Sequence, residues 1–147
     1  MTYYAHSGIH GDKSDWQSLA GHLQAVAKLA SEFARPFGME RAAAILGVFH
    51  DLGKYDPAFQ RRLEGADIRV DHSTAGAKVL VDLTSEAVRQ GRARAEDVLM
   101  AEVLGYCVLG HHAGLPDKET SEPACFVRRI EGLWPDPIGW SGFNLSS

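Results

Sequence analysis

Cysteine is scarce in this 147-residue chain, which contains only Cys107 and Cys125. The two lie eighteen positions apart and form no CxxC pattern, so the sequence indicates neither a disulfide framework nor a cysteine-based zinc motif. We expect both thiols to be reduced, and we expect Cys107, which lies within the stretch VLGYCVLG, to belong to the core.

The sequence also lacks an apolar run long enough to cross a bilayer. The longest run, Val98 to Leu109, is interrupted by Glu102 and Gly105 and falls short of the roughly 20 residues that a membrane-spanning helix needs. The first residues, MTYYAHSGIHGDKSDW, have neither the basic start nor the apolar segment of a secretory signal. We therefore expect a cytoplasmic protein that has no membrane partner.

Basic residues are not in excess, because 15 Lys and Arg residues stand against 19 Asp and Glu residues, for a net charge of −4. This balance argues against a protein that wraps duplex DNA through bulk positive charge. A polyanionic substrate must then be held locally, and bound divalent cations would supply positive charge that a count of side chains omits.

No segment alternates like a strand, whereas apolar residues recur at helical spacing along the chain. This pattern predicts an all-α fold in one domain. The first predicted helix begins at Ser14 or Asp15, places Trp16 and Phe33 in the core and ends before Gly38. Further helices are predicted from Glu40 to Leu52, Asp56 to Gly65, His72 to Gly91, Ala95 to Gly110 and Ala124 to Leu133.

The main functional signal is the placement of histidine. Of the seven histidines, five occur in contexts that suit a metal site: His22, His50 beside Asp51, His72, and the pair His111 and His112. Imidazole nitrogens and carboxylate oxygens are the usual ligands of Mn, Fe, Co, Ni and Zn, and a set of this size can hold two ions. We assign no metal role to His6 and His10.

His50 and Asp51 are neighbours on the predicted second helix, where successive side chains point about 100° apart. They can flank one pocket, and the Asp51 carboxylate can bridge two ions. Lys54 follows within one turn, where its ammonium would bind a phosphate oxygen or stabilise charge on the transferring group. The alternative for Lys54 is a solvated lysine that complements the helix dipole.

The other residues have simpler alternatives as well. His111 and His112 can cap the last carbonyls of their helix, His22 can be a hydrogen-bonded core or surface residue, and His72 can cap the helix that follows it. The two arginine pairs, Arg61 with Arg62 and Arg128 with Arg129, are interpreted as solvated faces rather than as phosphate clamps.

Five short motifs follow one another along the chain: AHS (5–7), W-x-x-L-x-x-HL (16–23), GVFHDLGKYDPAFQ (47–60), DHSTAGA (71–77) and GHHAGLPD (110–117). HDLGK at 50–54 resembles the signature of the HD phosphohydrolase superfamily. The five motifs in this order resemble the HD nuclease domain of the Cas3 family of type I CRISPR systems. The resemblance covers the chain from Ala5 to Asp117.

This resemblance implies an HD-domain helical bundle that cleaves single-stranded DNA. It makes Asp51 and Lys54 catalytic, and it assigns a set of metal ligands: His22, His50, Asp51, His72, His111 and His112. We expect one or two divalent transition metal ions, with Mn, Ni, Co or Fe preferred over Mg or Zn. The implied partners are a superfamily 2 helicase domain, in the same or a separate chain, and the Cascade complex.

Residues 118–147 depart from the family pattern, which completes its site with an aspartate in a late helix that reads like LVDAD. We interpret residues 1–147 as a single HD nuclease domain that lacks this helix, with 118–147 loosely held. We therefore expect weak or no activity, and exposed apolar surface on the first and fifth helices. Two other functions stay open: a nucleotide phosphohydrolase of the HD superfamily and a catalytically idle HD module that docks a partner.

Overall fold

The structure, a computed structural model, describes residues 2–112 and 114–132. Six α-helices dominate this part of the chain, which confirms the predicted all-α class. Two short 3-10 turns, Arg35–Phe37 and Leu52–Tyr55, follow the first two helices. The helices are α1 (Leu19–Ala34), α2 (Glu40–Phe49), α3 (Pro57–Leu63), α4 (Ser73–Arg89), α5 (Ala95–Gly110) and α6 (Phe126–Glu131).

A short antiparallel pair, which the sequence did not predict, precedes α1: β1 (Tyr4–His6) pairs with β2 (Gln17–Ser18). Because the chain is still extended at Ser18, α1 begins only at Leu19, and its start predicted at Ser14 or Asp15 is wrong. Ser18 caps α1 by accepting a hydrogen bond from the Gly21 N–H at 3.3 Å. Asp15 instead accepts hydrogen bonds from the backbone of residues 9 and 10.

The second helix also ends earlier than predicted, at Phe49 rather than Leu52. His50 keeps a helical backbone, with φ −55° and ψ −40°, but Asp51 leaves the helix with φ −113° and ψ 19°. The chain then tightens into the 3-10 turn Leu52–Tyr55, which is common at the end of an α-helix. The His50-Asp51 pair therefore lies at the end of α2, not within it.

The bounds of α3, α4 and α5 agree with the prediction to within two residues. Local signals explain this agreement, as α3 illustrates. The Asp56 carboxylate accepts a hydrogen bond from the Ala58 N–H at 2.7 Å, and Pro57 occupies the first turn, where its missing N–H has no cost.

The core lies between α4, α5 and α6, while α1 packs on α2. Its main cluster joins Ala77 of α4 and Val108 of α5 to Phe126 and Ile130 of α6. A second cluster, centred on Leu104, brings α2 against the same pair of long helices. Together these contacts hold the end of α2, the start of α4 and the end of α5 close to one another.

Phe33 and Cys107, both predicted to be core residues, are exposed. Other large apolar side chains on α1 and α5 are exposed as well, as expected for the first and fifth helices, and so are two on α2. They are Leu29, Ile45, Val48, Leu99, Met100 and Val103. Among the described residues, none of the helices combines the length and the apolar character that crossing a membrane requires.

Candidate metal centre

The residues predicted for the site come from four segments of the chain and meet around one carboxylate. The carboxylate belongs to Asp51, a buried residue that follows α2. Helix ends supply the other side chains: His22 in the first turn of α1, His50 after α2, His72 before α4, and His111 with His112 after α5. The packing of these helices therefore determines the geometry of the site.

The two oxygens of Asp51 face different histidines. Oδ2 lies 3.1 Å from Nε2 of His22 and 3.1 Å from Nε2 of His50. Oδ1 lies 3.6 Å from Nε2 of His72 and 3.5 Å from Nε2 of His111. This divides the side chains into a first ligand group (His22, His50 and Asp51) and a second ligand group (Asp51, His72, His111 and His112).

The spacing of each ligand group could accommodate a metal ion. The potential ligand atoms of each group all lie within 4.8 Å of one another. Two ligands that are each about 2.1 Å from one ion, at octahedral to tetrahedral angles, are roughly 3.0–3.4 Å apart. The distances of 3.1–3.6 Å around Asp51 are close to this value.

Buried polar atoms that lack hydrogen-bond partners are a second observation consistent with a metal ion in this site. Asp51 Oδ1 and both ring nitrogens of His72 are buried, and none of the three has a hydrogen-bond partner among the residues that the structure describes. A buried polar atom without a partner costs free energy. Coordination of a cation by Asp51 and His72 would remove this cost, so the residues present fit a divalent metal ion.

Backbone carbonyls orient two of the ligands. His50 donates from Nδ1 to the Gly47 carbonyl at 2.8 Å, and His111 donates from Nδ1 to the Val108 carbonyl at 2.6 Å. With the proton on Nδ1, each ring presents the lone pair of Nε2 toward Asp51. Hydrogen bonds of this kind fix the tautomer and the ring direction of metal-binding histidines.

Lys54 belongs to the same centre. Its side chain is buried, its Nζ lies 2.8 Å from Asp51 Oδ2, and it donates a hydrogen bond to the Ala5 carbonyl at 3.2 Å. The 3-10 turn produces this approach, because it brings the side chain three residues after Asp51 back toward the carboxylate. The alternative of a solvated lysine that only complements the helix dipole is therefore wrong.

The pKa values in the site favour an ionised carboxylate at Asp51 and neutral imidazoles at three of the histidines, His22, His72 and His112. Burial raises the pKa of Asp51, but contacts from His111, His50 and Lys54 outweigh burial and hold this pKa well below its usual range. Burial lowers the pKa of His72 to about 4 and also lowers the pKa of His22 and of His112. For His111, burial lowers the pKa, but the contact with Asp51 outweighs it, so the pKa is raised.

Two glycines allow the backbones around the site to approach closely. A Cβ atom on Gly53 would lie 2.2 Å from the carbonyl oxygen of His72. A Cβ atom on Gly76, in the first turn of α4, would lie 1.9 Å from the carbonyl oxygen of Phe49, next to His50. Only glycine leaves room for these contacts, which bring Asp51 and His72 together.

Sequence reasoning missed two residues beside the second ligand group, Asp71 and Arg129. Arg129 was interpreted as solvated, but its side chain is only 18% exposed and contacts Asp71 at 3.0 Å. Two signals pointed to Asp71: it opens the motif DHSTAGA, and it precedes Ser73 and Thr74, where aspartate often caps a helix start. A cavity of about 450 Å³ opens here, lined by Arg62, Val70, Asp71, His72, Ser73, Leu109, His112 and Arg129.

The remaining candidates lie outside both ligand groups. The ring of His6 packs edge-on against His22, with centroids 5.0 Å apart. Asp117 is exposed, and its carbonyl accepts a hydrogen bond from Phe126. Asp136 lies outside the described residues, as does the half of 118–147 that follows residue 132, so the expectation that a further aspartate is lacking stays a prediction.

Comparison with known proteins adds one finding. A family model described as "Cas3, HD domain" matches residues 6–136 of the 147 in the chain. A search of curated proteins gives no significant match.

Proposed function

The chain belongs to the Cas3 HD-domain family, and from that membership and the geometry of its site we propose that it is a metal-dependent nuclease domain that cleaves single-stranded DNA in type I CRISPR interference. The family and the cluster of histidines around Asp51 together indicate an HD-type metal-dependent hydrolase. That the substrate is single-stranded DNA is the further step that we propose.

One observation carries the proposal: the two oxygens of Asp51 face separate groups of histidines. Asp51 would bridge two ions, with His22 and His50 on one side and His72, His111 and His112 on the other. Ions bound in this way would activate a water molecule and neutralise charge on a phosphodiester. Imidazole nitrogens dominate the set and disfavour Mg. Among the transition metals, we propose Mn, Ni, Co or Fe rather than Zn.

We assign catalytic roles to Asp51 and Lys54. Asp51 stays ionised near neutral pH because of its lowered pKa, so it can hold cations without first losing a proton. Lys54 binds the same carboxylate and would add a fixed positive charge beside a phosphate held at the proposed ions. For a chain with a net charge of −4, such local positive charge is what would hold a polyanion.

The cavity beside the second ligand group is the proposed path of the strand. It is lined by His72 and His112 and also by Arg62, whose side chain forms no hydrogen bond or ion pair with any other part of the described structure. We propose that a superfamily 2 helicase domain, in the same or a separate chain, delivers the strand displaced by Cascade, and that the protein acts in the cytoplasm.

The test uses the full chain, stripped of metal with a chelator and reloaded with Mn²⁺. We expect slow, metal-dependent nicking of circular single-stranded DNA, in keeping with the weak activity expected from the sequence, and no nicking of the matching duplex. Asp51→Asn removes the charge of the shared ligand, so it should abolish nicking and most metal binding. Asp67→Asn is the matched control, because Asp67 is exposed and lies outside both ligand groups.

Two other outcomes would overturn the proposal in different ways. Phosphate release from mononucleotides, with DNA left intact, would identify a nucleotide phosphohydrolase. A purified chain that contains no metal, hydrolyses neither substrate and yet binds a helicase tightly would identify an idle docking module.

A further inference from the structure

The start of α4 is held by a dense set of hydrogen bonds around Asp71. Its Oδ1 accepts from the Ser73 N–H at 3.0 Å, from the Ser73 hydroxyl at 3.1 Å and from the Thr74 N–H at 3.2 Å. Its Oδ2 accepts from the Thr74 hydroxyl at 2.6 Å. Asp71 therefore fixes the backbone on both sides of His72.

Arg129 of α6 completes this set from a distant part of the sequence. Its Nη2 donates to Asp71 Oδ2 at 3.0 Å and to the Ser73 hydroxyl at 2.9 Å, and its Nε donates to the Thr74 hydroxyl at 2.8 Å. The guanidinium is a rigid planar fork. All three of its hydrogen bonds go to the residues that flank His72.

His72 differs from two of the other ligands in how its ring is held. Backbone carbonyls accept hydrogen bonds from Nδ1 of His50 and of His111. Neither nitrogen of His72 has a partner within the described ranges. Its ring packs against other rings, with the Phe59 centroid 5.1 Å away, and its Nε2 lies 3.6 Å from Asp51 Oδ1, beyond hydrogen-bond distance. The direction of the His72 ring therefore depends on this packing and on where its backbone is held.

We propose that Asp71 and Arg129 are positioning residues that hold His72 in the second ligand group, in place of the hydrogen bond that its ring lacks. This inference rests on the proposed function, because it assumes that the group binds a metal ion. It makes metal retention in the second ligand group depend on α6. The first ligand group shares only Asp51 with the second, so it does not depend on the clamp that Asp71 and Arg129 form around His72.

The role predicts a selective loss of metal affinity. Replacing a residue that orients a metal ligand typically weakens metal binding about 10- to 100-fold. Arg129→Met keeps most of the length and apolar stem of the side chain but removes all three hydrogen bonds. We expect binding to the second ligand group to weaken by this factor, and binding to the first ligand group to stay unchanged.

The experiment titrates the metal-stripped full chain with Co²⁺, by calorimetry and by visible absorption. His112→Ala identifies the signal of the second ligand group, because His112 belongs to that group alone. Arg128→Met is the matched control, since Arg128 lies on the same helix and donates instead to the Thr120 carbonyl. Arg129→Lys should restore little affinity, because one ammonium cannot reproduce the fork.

A second variant covers the possibility that Arg129→Met does not fold. Thr74→Val nearly preserves the shape of a buried side chain while removing the hydroxyl that links Asp71 to Arg129, and it should weaken the same signal by a smaller factor. Wild-type affinity in Arg129→Met and in Thr74→Val would overturn the clamp and leave the proposed function standing. A wild-type chain that binds no Co²⁺ would overturn both.

Discussion

Gly53→Ala is the sharpest test of how the site is built. A methyl group at Gly53 would lie 2.2 Å from the carbonyl oxygen and 2.6 Å from the Cα atom of His72, whereas ordinary contact begins at 3.4 Å. The two backbones must therefore separate by about 1 Å. Because both obstructing atoms are backbone atoms, no rotation of a side chain relieves the overlap.

The expected loss of stability follows from this overlap. Overpacking a tight site costs about 1–3 kcal/mol, and a rigid obstruction places Gly53→Ala toward the upper end, at about 2–3 kcal/mol. The segments forced apart carry Asp51 and His72, whose facing atoms now lie 3.6 Å apart. The affinity of the second ligand group for metal should fall about 10- to 100-fold as well.

Urea unfolding of the metal-free protein measures the first effect, and Co²⁺ titration measures the second. Gly11→Ala is the matched control, because a Cβ atom there meets nothing within 4 Å, and it should change stability by less than about 0.5 kcal/mol. If Gly53→Ala unfolds at the wild-type urea concentration and binds Co²⁺ with wild-type affinity, the argument from close approach is wrong.

Two further variants test the charges of the site. Lys54→Met removes the buried cation that lies 2.8 Å from Asp51. In urea unfolding it should destabilise the metal-free protein by about 3 kcal/mol, and the metal-bound protein by less. An unchanged urea midpoint would refute a role for the ion pair in stability. Arg62→Gln should raise KM for single-stranded DNA and lower the salt dependence of binding by about 0.7 in log–log slope, as loss of one phosphate contact predicts. Arg61→Gln is its control, because Arg61 does not line the cavity, and equal effects of the two changes would exclude a specific contact by Arg62.

How well the sequence predicted the fold depended on how local the signals were. The bounds of α5, Ala95–Gly110, were predicted as observed, because its apolar pattern and the glycine at its end are signals that lie within the helix itself. The start of α1 was missed because β2 pairs with β1, with Ser18 opposite Tyr4 and Gln17 opposite His6, and this pairing keeps Ser18 extended. Tertiary pairing overrode a helical pattern there.

The same distinction applies to the site. The seven predicted residues stand in short motifs, and the structure brings them together. Arg129 could not be found in this way, because its partner Asp71 lies 58 residues earlier and a pair of arginines by itself resembles any solvated surface. The burial of Lys54 likewise depends on the carbonyl of Ala5, 49 residues away.

The spread of the ligands along the chain has a consequence for the lifetime of the protein. His22, Asp51, His72 and His111 come from separate segments, which meet only when the chain is folded, so a bound ion would act as a cross-link between them. Binding confined to the folded state stabilises it by about 2.7 kcal/mol when free metal is 100 times Kd, a large share of the 5–15 kcal/mol typical of a domain. Metal scarcity would then reduce the number of intact molecules through proteolysis as well as the activity of each one.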